Sequence, residues 1–110
     1  MLISDCILII WIHFIADFVL QSDKVAINKS KDTNCLIWHC SIYGIVMLIF
    51  GPAFALINAM LHFITDYVTS KITSYFWMTN QRHWFFTTIG LDQAIHISCL
   101  FLTLKYLTTF

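Results

Sequence analysis

The stretches IHFIADFV (residues 12–19) and LHFITDYV (residues 61–68) carry the same phrase twice in a chain of 110 residues. Each places a His four residues before an Asp, and this spacing puts both side chains on one face of a helix. Each phrase also lies in a strongly apolar run without a Lys or Arg. The repeat therefore predicts two similar helices, each with a polar stripe on an otherwise apolar surface.

The composition favours a membrane protein. Hydrophobic residues make up 59% of the chain, charged residues 11%, and the mean hydropathy is +0.78. A soluble domain usually carries about 25% charged residues, so this chain could not cover a globule with polar surface. We therefore predict an all-α integral membrane protein in which residues 1–110 form a single domain within the lipid bilayer. The net charge of zero argues against a nucleic-acid-binding surface.

Four apolar segments approach the length of about 20 residues that a transmembrane helix needs. They are Leu2–Gln21, Cys35–Phe50, Ala53–Tyr75 and Trp84–Leu107. Most basic residues lie in the two connections that follow the first and third segments: Lys24, Lys29, Lys31, Lys71 and Arg82. The positive-inside rule assigns both connections to the cytoplasm and both termini to the outside. We therefore expect a multi-pass membrane protein.

Polar residues within these segments follow a pattern that depends on helix direction. They are His13, Asp17 and Gln21 in the first segment, His39 in the second, His62 and Asp66 in the third, and Asp92 and His96 in the fourth. The first and third helices run inward with His before Asp, whereas the fourth runs outward with Asp before His. In all three, Asp lies nearer the cytoplasm and His lies about 6 Å deeper. The polar groups are therefore predicted to meet at one level, in the cytoplasmic half of the bilayer.

The repeat also predicts how the helices are paired. The second phrase begins 49 residues after the first, and each is followed by an outward span with a His, His39 or His96. This order indicates two parallel helical hairpins, related by a pseudo-two-fold axis along the membrane normal. Facing hairpins would put the two His/Asp stripes on opposite walls of one cavity. The alternative is common ancestry with the motif kept only for packing.

Three carboxylates at this depth need a source of positive charge. On insertion scales each costs about 2.5–3.5 kcal/mol or more, and no Lys or Arg lies at their level in the spans. Protonation, imidazolium or a bound cation could supply the charge. A mixed imidazole and carboxylate set suits a divalent metal such as Zn²⁺, Mn²⁺ or Fe²⁺. We interpret the pattern as a site for one or two ions, with the candidate ligands His13, Asp17, His62, Asp66, Asp92 and His96.

The stretches HFIADFVLQSDKVAINKSK, HFITDYVTSKIT and FFTTIGLDQAIH, together with His39, are similar to the motifs of one known family. It comprises small multi-span membrane proteins of bacteria and phages and is carried as a domain of unknown function. The resemblance covers nearly the whole chain. It implies a compact helical protein of the bacterial inner membrane, with an intramembrane His/Asp site and no established activity. Other bacterial inner-membrane proteins with similar patterns are labelled metal-dependent hydrolases, which is an analogy of pattern only.

Three functions follow from this site. In a metal-dependent hydrolase of a lipid-linked or membrane-proximal substrate, Asp17 or Asp92 would act as general base, with His39 and Gln21 orienting the substrate at the mouth. In an ion- or proton-binding or transport protein, the stripes would form part of a pathway. In a phage or bacterial interaction protein, they would be a structural polar core. Because four short helices enclose little volume, we also expect a homo-oligomer.

Overall fold

The computed structural model describes residues 2–107, and within this range the protein consists of helices and short turns without a strand. The helices are α1 (Ile3–Phe14), α2 (Asp23–Asn28), α3 (Thr33–Met47), α4 (Pro52–Met78) and α5 (Arg82–Leu107). α1 continues as a π-helical turn over Ile15–Val19, and α3 ends in a 3-10 turn over Leu48–Phe50. The all-helical prediction is therefore confirmed.

Local sequence signals explain where two of these helices begin. The side chain of Ser22 caps α2 and accepts a hydrogen bond from the Val25 N–H at 3.3 Å. Gly51, with φ +116°, precedes α4, and Pro52 occupies the first turn of that helix. The α2 helix lies within the first of the two basic connections. It brings Lys29 close to the centre of the protein.

The long helix α4 packs against both α3 and α5, while α1 contacts α3 and α5. The α3–α4 approach is close at Gly44, where an added Cβ would lie 3.1 Å from the Cβ of Ala59. A larger side chain at Gly44 would therefore push the two helices apart. This contact sets the spacing between the helices that carry His39 and His62.

The apolar core occupies one end of the helical bundle, next to the polar residues of the repeated phrase. It consists of Ile9, Ala16, Tyr43, Met47, Phe50, Phe54, Ala55, Leu100 and Leu104. The outer helix surfaces are also apolar: Trp11 is 62% exposed and Ile45 is 66% exposed. Exposed apolar side chains on the outside of a helical bundle are those expected to face lipid.

Two helical segments of the described range are long and apolar enough to cross a membrane, Thr33–Phe50 and Arg82–Leu107. They correspond to the second and fourth predicted spans. The regular part of α1 has 12 residues, fewer than the predicted first span, because the π-helical turn follows it. Four crossings and the paired-hairpin topology remain predictions.

Candidate metal centre

Four buried side chains bring one ligand atom each to a common point. The candidate ligand atoms of Asp17, His39, His62 and Asp66 all lie within 4.8 Å of one another. His39 Nε2 lies 2.9 Å from Asp17 Oδ1 and 3.0 Å from His62 Nε2. His62 Nε2 lies 3.2 Å from Asp66 Oδ2. Two imidazole nitrogens and two carboxylates in this space form a donor set that suits one divalent cation.

Three elements deliver these four ligands. Asp17 comes from the π-helical turn that follows α1, His39 from α3, and His62 and Asp66 from successive turns of α4. Helical spacing explains the pair on α4. The π-helical turn at Asp17 was not predicted, although such turns occur frequently at functional sites.

A second group of candidate ligands shares Asp17 with the first and adds Asp92 and His96 from α5. His96 Nε2 lies 3.0 Å from Asp66 Oδ1 and 3.2 Å from Asp92 Oδ1. The Thr69 hydroxyl donates a 2.6 Å hydrogen bond to Asp92 Oδ1. The two groups are thus joined by the shared Asp17 and by the contact of His96 with Asp66, and Asp92 lies beside the four-residue group.

His13 occupies a different position from the other predicted ligands. Its Nδ1 lies 2.8 Å from the Tyr43 hydroxyl, and its Nε2 lies 2.8 Å from Gln93 Oε1 and 3.7 Å from Asp17 Oδ2. Gln93 Nε2 in turn donates to Asp17 Oδ2 at 3.2 Å and to Asp92 Oδ2 at 3.1 Å. In the described range, His13 belongs to neither ligand group. It positions Asp17 through Gln93.

The His62 ring is held by stacking on both faces. The Tyr43 ring centroid lies 4.1 Å away at an interplanar angle of 25°, and the His96 ring lies 4.0 Å away at 17°. Within residues 2–107, the buried His62 Nδ1 has no hydrogen-bond partner. Ring stacking therefore replaces the hydrogen bond that usually orients a metal-binding His.

A lysine from the connection enters the cluster, contrary to the expectation that no basic residue lies near the carboxylates. Lys29 Nζ is 3.1 Å from Asp66 Oδ2, and the Lys29 side chain is only 19% exposed. The residue caps the end of α2, and this short helix carries it inward. The long, flexible lysine side chain spans the remaining distance. Part of the charge on the cluster is therefore balanced by the protein itself.

A cavity of about 480 Å³ adjoins the cluster. Asp17, Asp66 and Asp92 line it, and so does Gln21. His39 differs from its predicted position, because it lies inside the cluster and is only 2% exposed. The carboxylates thus face the cavity, and the imidazoles lie behind them.

Every predicted metal ligand except His13 belongs to one of the two ligand groups. His13 instead contacts the site through hydrogen bonds. Three side chains were missed: Tyr43, Thr69 and Lys29. Helical spacing could have identified two of them, because Tyr43 lies four residues after His39 and Thr69 lies three after Asp66. The reach of Lys29 depends on α2 and has no comparable periodic signal.

These features define an all-helical protein with a buried His/Asp cluster at the base of a cavity. The chain belongs to the family described as "Protein of unknown function (DUF3307)", whose family model matches residues 6–110. The resemblance to a family of unknown function is therefore confirmed. No curated protein and no solved structure matches the chain. Its function must be argued from the site.

Proposed function

We propose that this protein is a membrane-embedded metalloprotein that binds a divalent cation at Asp17, His39, His62 and Asp66 and uses it for hydrolysis. The observation that carries the proposal is the convergence of these four buried ligand atoms within 4.8 Å. Buried charges of one sign require compensation, and Lys29 supplies one positive charge for three neighbouring carboxylates. A divalent cation balances the other two.

The cavity gives this cation a route to a substrate. Because Asp17 and Asp66 line the cavity, a free coordination position on the ion would face it. With four protein ligands bound, five-coordinate Zn²⁺ has one free position, and octahedral Mn²⁺ or Fe²⁺ has two. The bound ion would increase the acidity of a coordinated water and so supply the nucleophile.

Asp92 is the best candidate for the general base. It lies beside the four-residue group, lines the cavity, and its side chain is 13% exposed. Hydrogen bonds from Thr69 and Gln93 hold the carboxylate in place. A carboxylate fixed next to a metal-bound water can remove the proton of that water.

The proposed membrane arrangement has four spans, both termini outside, and both basic connections on the cytoplasmic side. Two helices that are long and apolar enough to cross a membrane support it, as do the apolar side chains exposed on the outer surfaces. The cavity would then open toward the cytoplasmic leaflet, because Trp77 and Met78, next to the second connection, line it.

Metal analysis of the purified protein tests the proposal directly. We expect at least one divalent ion per chain after purification in neutral detergent, and loss of that ion on substitution His62→Gln. The matched control is His83→Gln, because His83 is exposed and lies outside the cluster. Equal metal content in the two variants, or folded wild-type protein that takes up no ion, would reject the metal centre.

A second experiment separates catalysis from the non-catalytic alternatives. Asp92→Asn should retain the metal of the four-residue group but lose hydrolytic turnover. Flux of ions or protons in liposomes, with no hydrolysis by the wild-type protein, would favour binding or transport instead. A stable protein with neither metal nor flux would show that the cluster is a structural core. In that case the Lys29–Asp66 ion pair already supplies a charged partner for one carboxylate.

A further inference from the structure

The cavity beside the cluster is elongated and has a polar and an apolar end. On α4 it follows Asp66, Ser70, Thr73 and Trp77, which share one helix face. These eleven residue steps correspond to about 16 Å of helix. The cluster forms the inner end, and the outer end is bordered by Trp77, which is 50% exposed, and Met78, which is 76% exposed.

Two lysines line this cavity above the carboxylates. Lys29 is paired with Asp66, whereas Lys31 is exposed and its ammonium group has no carboxylate partner among the residues described. If the proposed divalent cation is bound, that cation and Lys29 together balance the three carboxylates at the inner end. The charge of Lys31 is then left over, so the cavity favours an anionic ligand.

Two polar atoms at the cavity are buried and unpaired within residues 2–107: Ser70 Oγ and Gln21 Oε1. Ser70 is only 7% exposed, so little water reaches its hydroxyl. Buried polar groups are normally hydrogen-bonded, and an unpaired one lowers stability. The Ser70 hydroxyl can donate to an anionic oxygen, and so can the Gln21 amide after its two ends are exchanged. Both side chains, Gln21 through its amide nitrogen, can therefore donate to a ligand with several oxygen acceptors.

Much of the remaining lining is hydrocarbon and aromatic, although Thr69, Thr73, Ser74 and Gln93 also border the cavity. The large apolar side chains are Phe18, Ile27, Phe85, Ile89, Trp77 and Met78. An inorganic anion would leave this surface uncovered, whereas an alkyl chain would cover it and gain roughly 25 cal/mol for each Å² of apolar surface removed from water. The lining thus matches a ligand with a charged head and an apolar tail.

We propose that the cavity binds a phosphate monoester of a membrane amphiphile, with the phosphate at the Lys31, Ser70 and Gln21 side chains and the chain along the apolar wall. Phosphate fits because it offers several anionic oxygens to a lysine, to neutral donors and to a divalent cation at once. This inference rests on the proposed metal-dependent hydrolysis and names its substrate class.

The reaction balances without any further reactant. The oxygen of water forms a bond to phosphorus, and the bond between phosphorus and the oxygen of the amphiphile breaks. Asp92 takes one proton from the water and returns it to the leaving oxygen, while the other water proton stays on the released phosphate. The products are the alcohol of the amphiphile and inorganic phosphate, and nothing is oxidised or reduced.

Calorimetric titration of metal-loaded Asp92→Asn protein in maltoside micelles tests the binding, because this variant should keep the metal without hydrolysing the probe. The probes are dodecyl phosphate, inorganic phosphate and dodecyltrimethylammonium, which has the same chain and the opposite charge. We expect dodecyl phosphate to bind at least tenfold more tightly than either of the others. Equal binding of inorganic phosphate would overturn the amphiphile, and equal binding of dodecyltrimethylammonium would overturn the anionic head.

Variants connect the binding to the named residues. Lys31→Gln and Ser70→Ala should each weaken dodecyl phosphate binding by about fivefold or more, while their metal content stays at the wild-type level. The controls are Lys24→Gln and Ser41→Ala, because both residues are exposed and lie outside this cavity. Metal-loaded protein whose affinity is unaffected by Lys31→Gln and Ser70→Ala overturns this inference alone. Absence of metal from the wild-type protein overturns the metal centre, and that result is read separately on the same samples.

Discussion

Lys29 shows how a single residue outside the repeated phrase changes the electrostatics of the cluster. Its ammonium group binds Asp66 Oδ2, the same oxygen that lies 3.2 Å from His62 Nε2. A cation at the four-residue group would need that oxygen as a ligand. Lys29 therefore stabilises the metal-free protein and competes with the metal for Asp66.

The substitution Lys29→Gln separates these two effects. Without the ammonium group, the buried Asp66 loses a charged partner, and the metal-free protein should be destabilised by roughly 1–3 kcal/mol. The same change should strengthen metal binding severalfold, because a competitor is removed. Thermal unfolding and metal titration in detergent measure the two effects. Lys24→Gln, on the same short helix, should change neither, and weaker metal binding by Lys29→Gln would contradict the competition.

Tyr43 supports the cluster through its hydroxyl and through its ring. Tyr43→Phe removes the 2.8 Å contact with His13 Nδ1 but preserves the stacking on His62. Because the His13 nitrogen is then buried without a partner, we expect a loss of about 1–3 kcal/mol in stability. Metal content should remain unchanged, since His13 is in neither ligand group. A large loss of metal from Tyr43→Phe would instead indicate that His13, which the Tyr43 hydroxyl orients, is a metal ligand.

At the level of elements, the α3–α4 contact controls the distance between His39 and His62. Gly44→Val should force the helices apart, because even a Cβ would meet Ala59 at 3.1 Å. We expect a lower unfolding temperature together with weaker metal binding. The matched substitution is Gly90→Val in α5, where an added Cβ meets nothing within 4 Å. If both variants behave alike, the cause is the change in helix propensity rather than the α3–α4 spacing.

The repeated phrase predicted the helices and the convergence of their polar residues, but it did not predict their local differences. LHFITDYV lies in regular α-helix, whereas the equivalent part of IHFIADFV passes through the π-helical turn Ile15–Val19. The two phrases differ at only three of eight positions, so we attribute the difference mainly to packing around Asp17 and to the chain that follows. The inward position of Lys29 likewise depends on the short helix α2, for which the local signals are the Ser22 cap and Asp23 in the first turn.

At the scale of the whole molecule, the cluster lies between the apolar core and the cavity. The core packs against it through Ala16 and Tyr43, while Asp17, Asp66 and Asp92 face the cavity. This arrangement leaves the cluster open on one side and closed on the other. The side of the membrane on which the cavity opens therefore decides which substrates can reach it.

The proposed orientation can be measured with reporter fusions in a bacterial inner membrane. Alkaline phosphatase is active only after export, and green fluorescent protein fluoresces only when it folds in the cytoplasm. With four spans and both termini outside, phosphatase fused after residue 110 should be active. The same enzyme fused after Asn80, in the second connection, should be inactive. Fluorescent fusions at the two positions should give the opposite pattern.

The two fusion sites together distinguish the ways in which this topology could fail. Phosphatase activity at Asn80 and none after residue 110 would mean that the protein has the opposite orientation. The cavity would then open to the outside, since Trp77 and Met78 border its outer end. Inactivity at both positions would mean that α5 does not cross the membrane, although its length and apolar character permit a crossing. The expected pattern, in contrast, would have the cavity receive its substrate from the cytoplasmic leaflet. Lys31 would then lie on the side where the positive-inside rule favours basic residues.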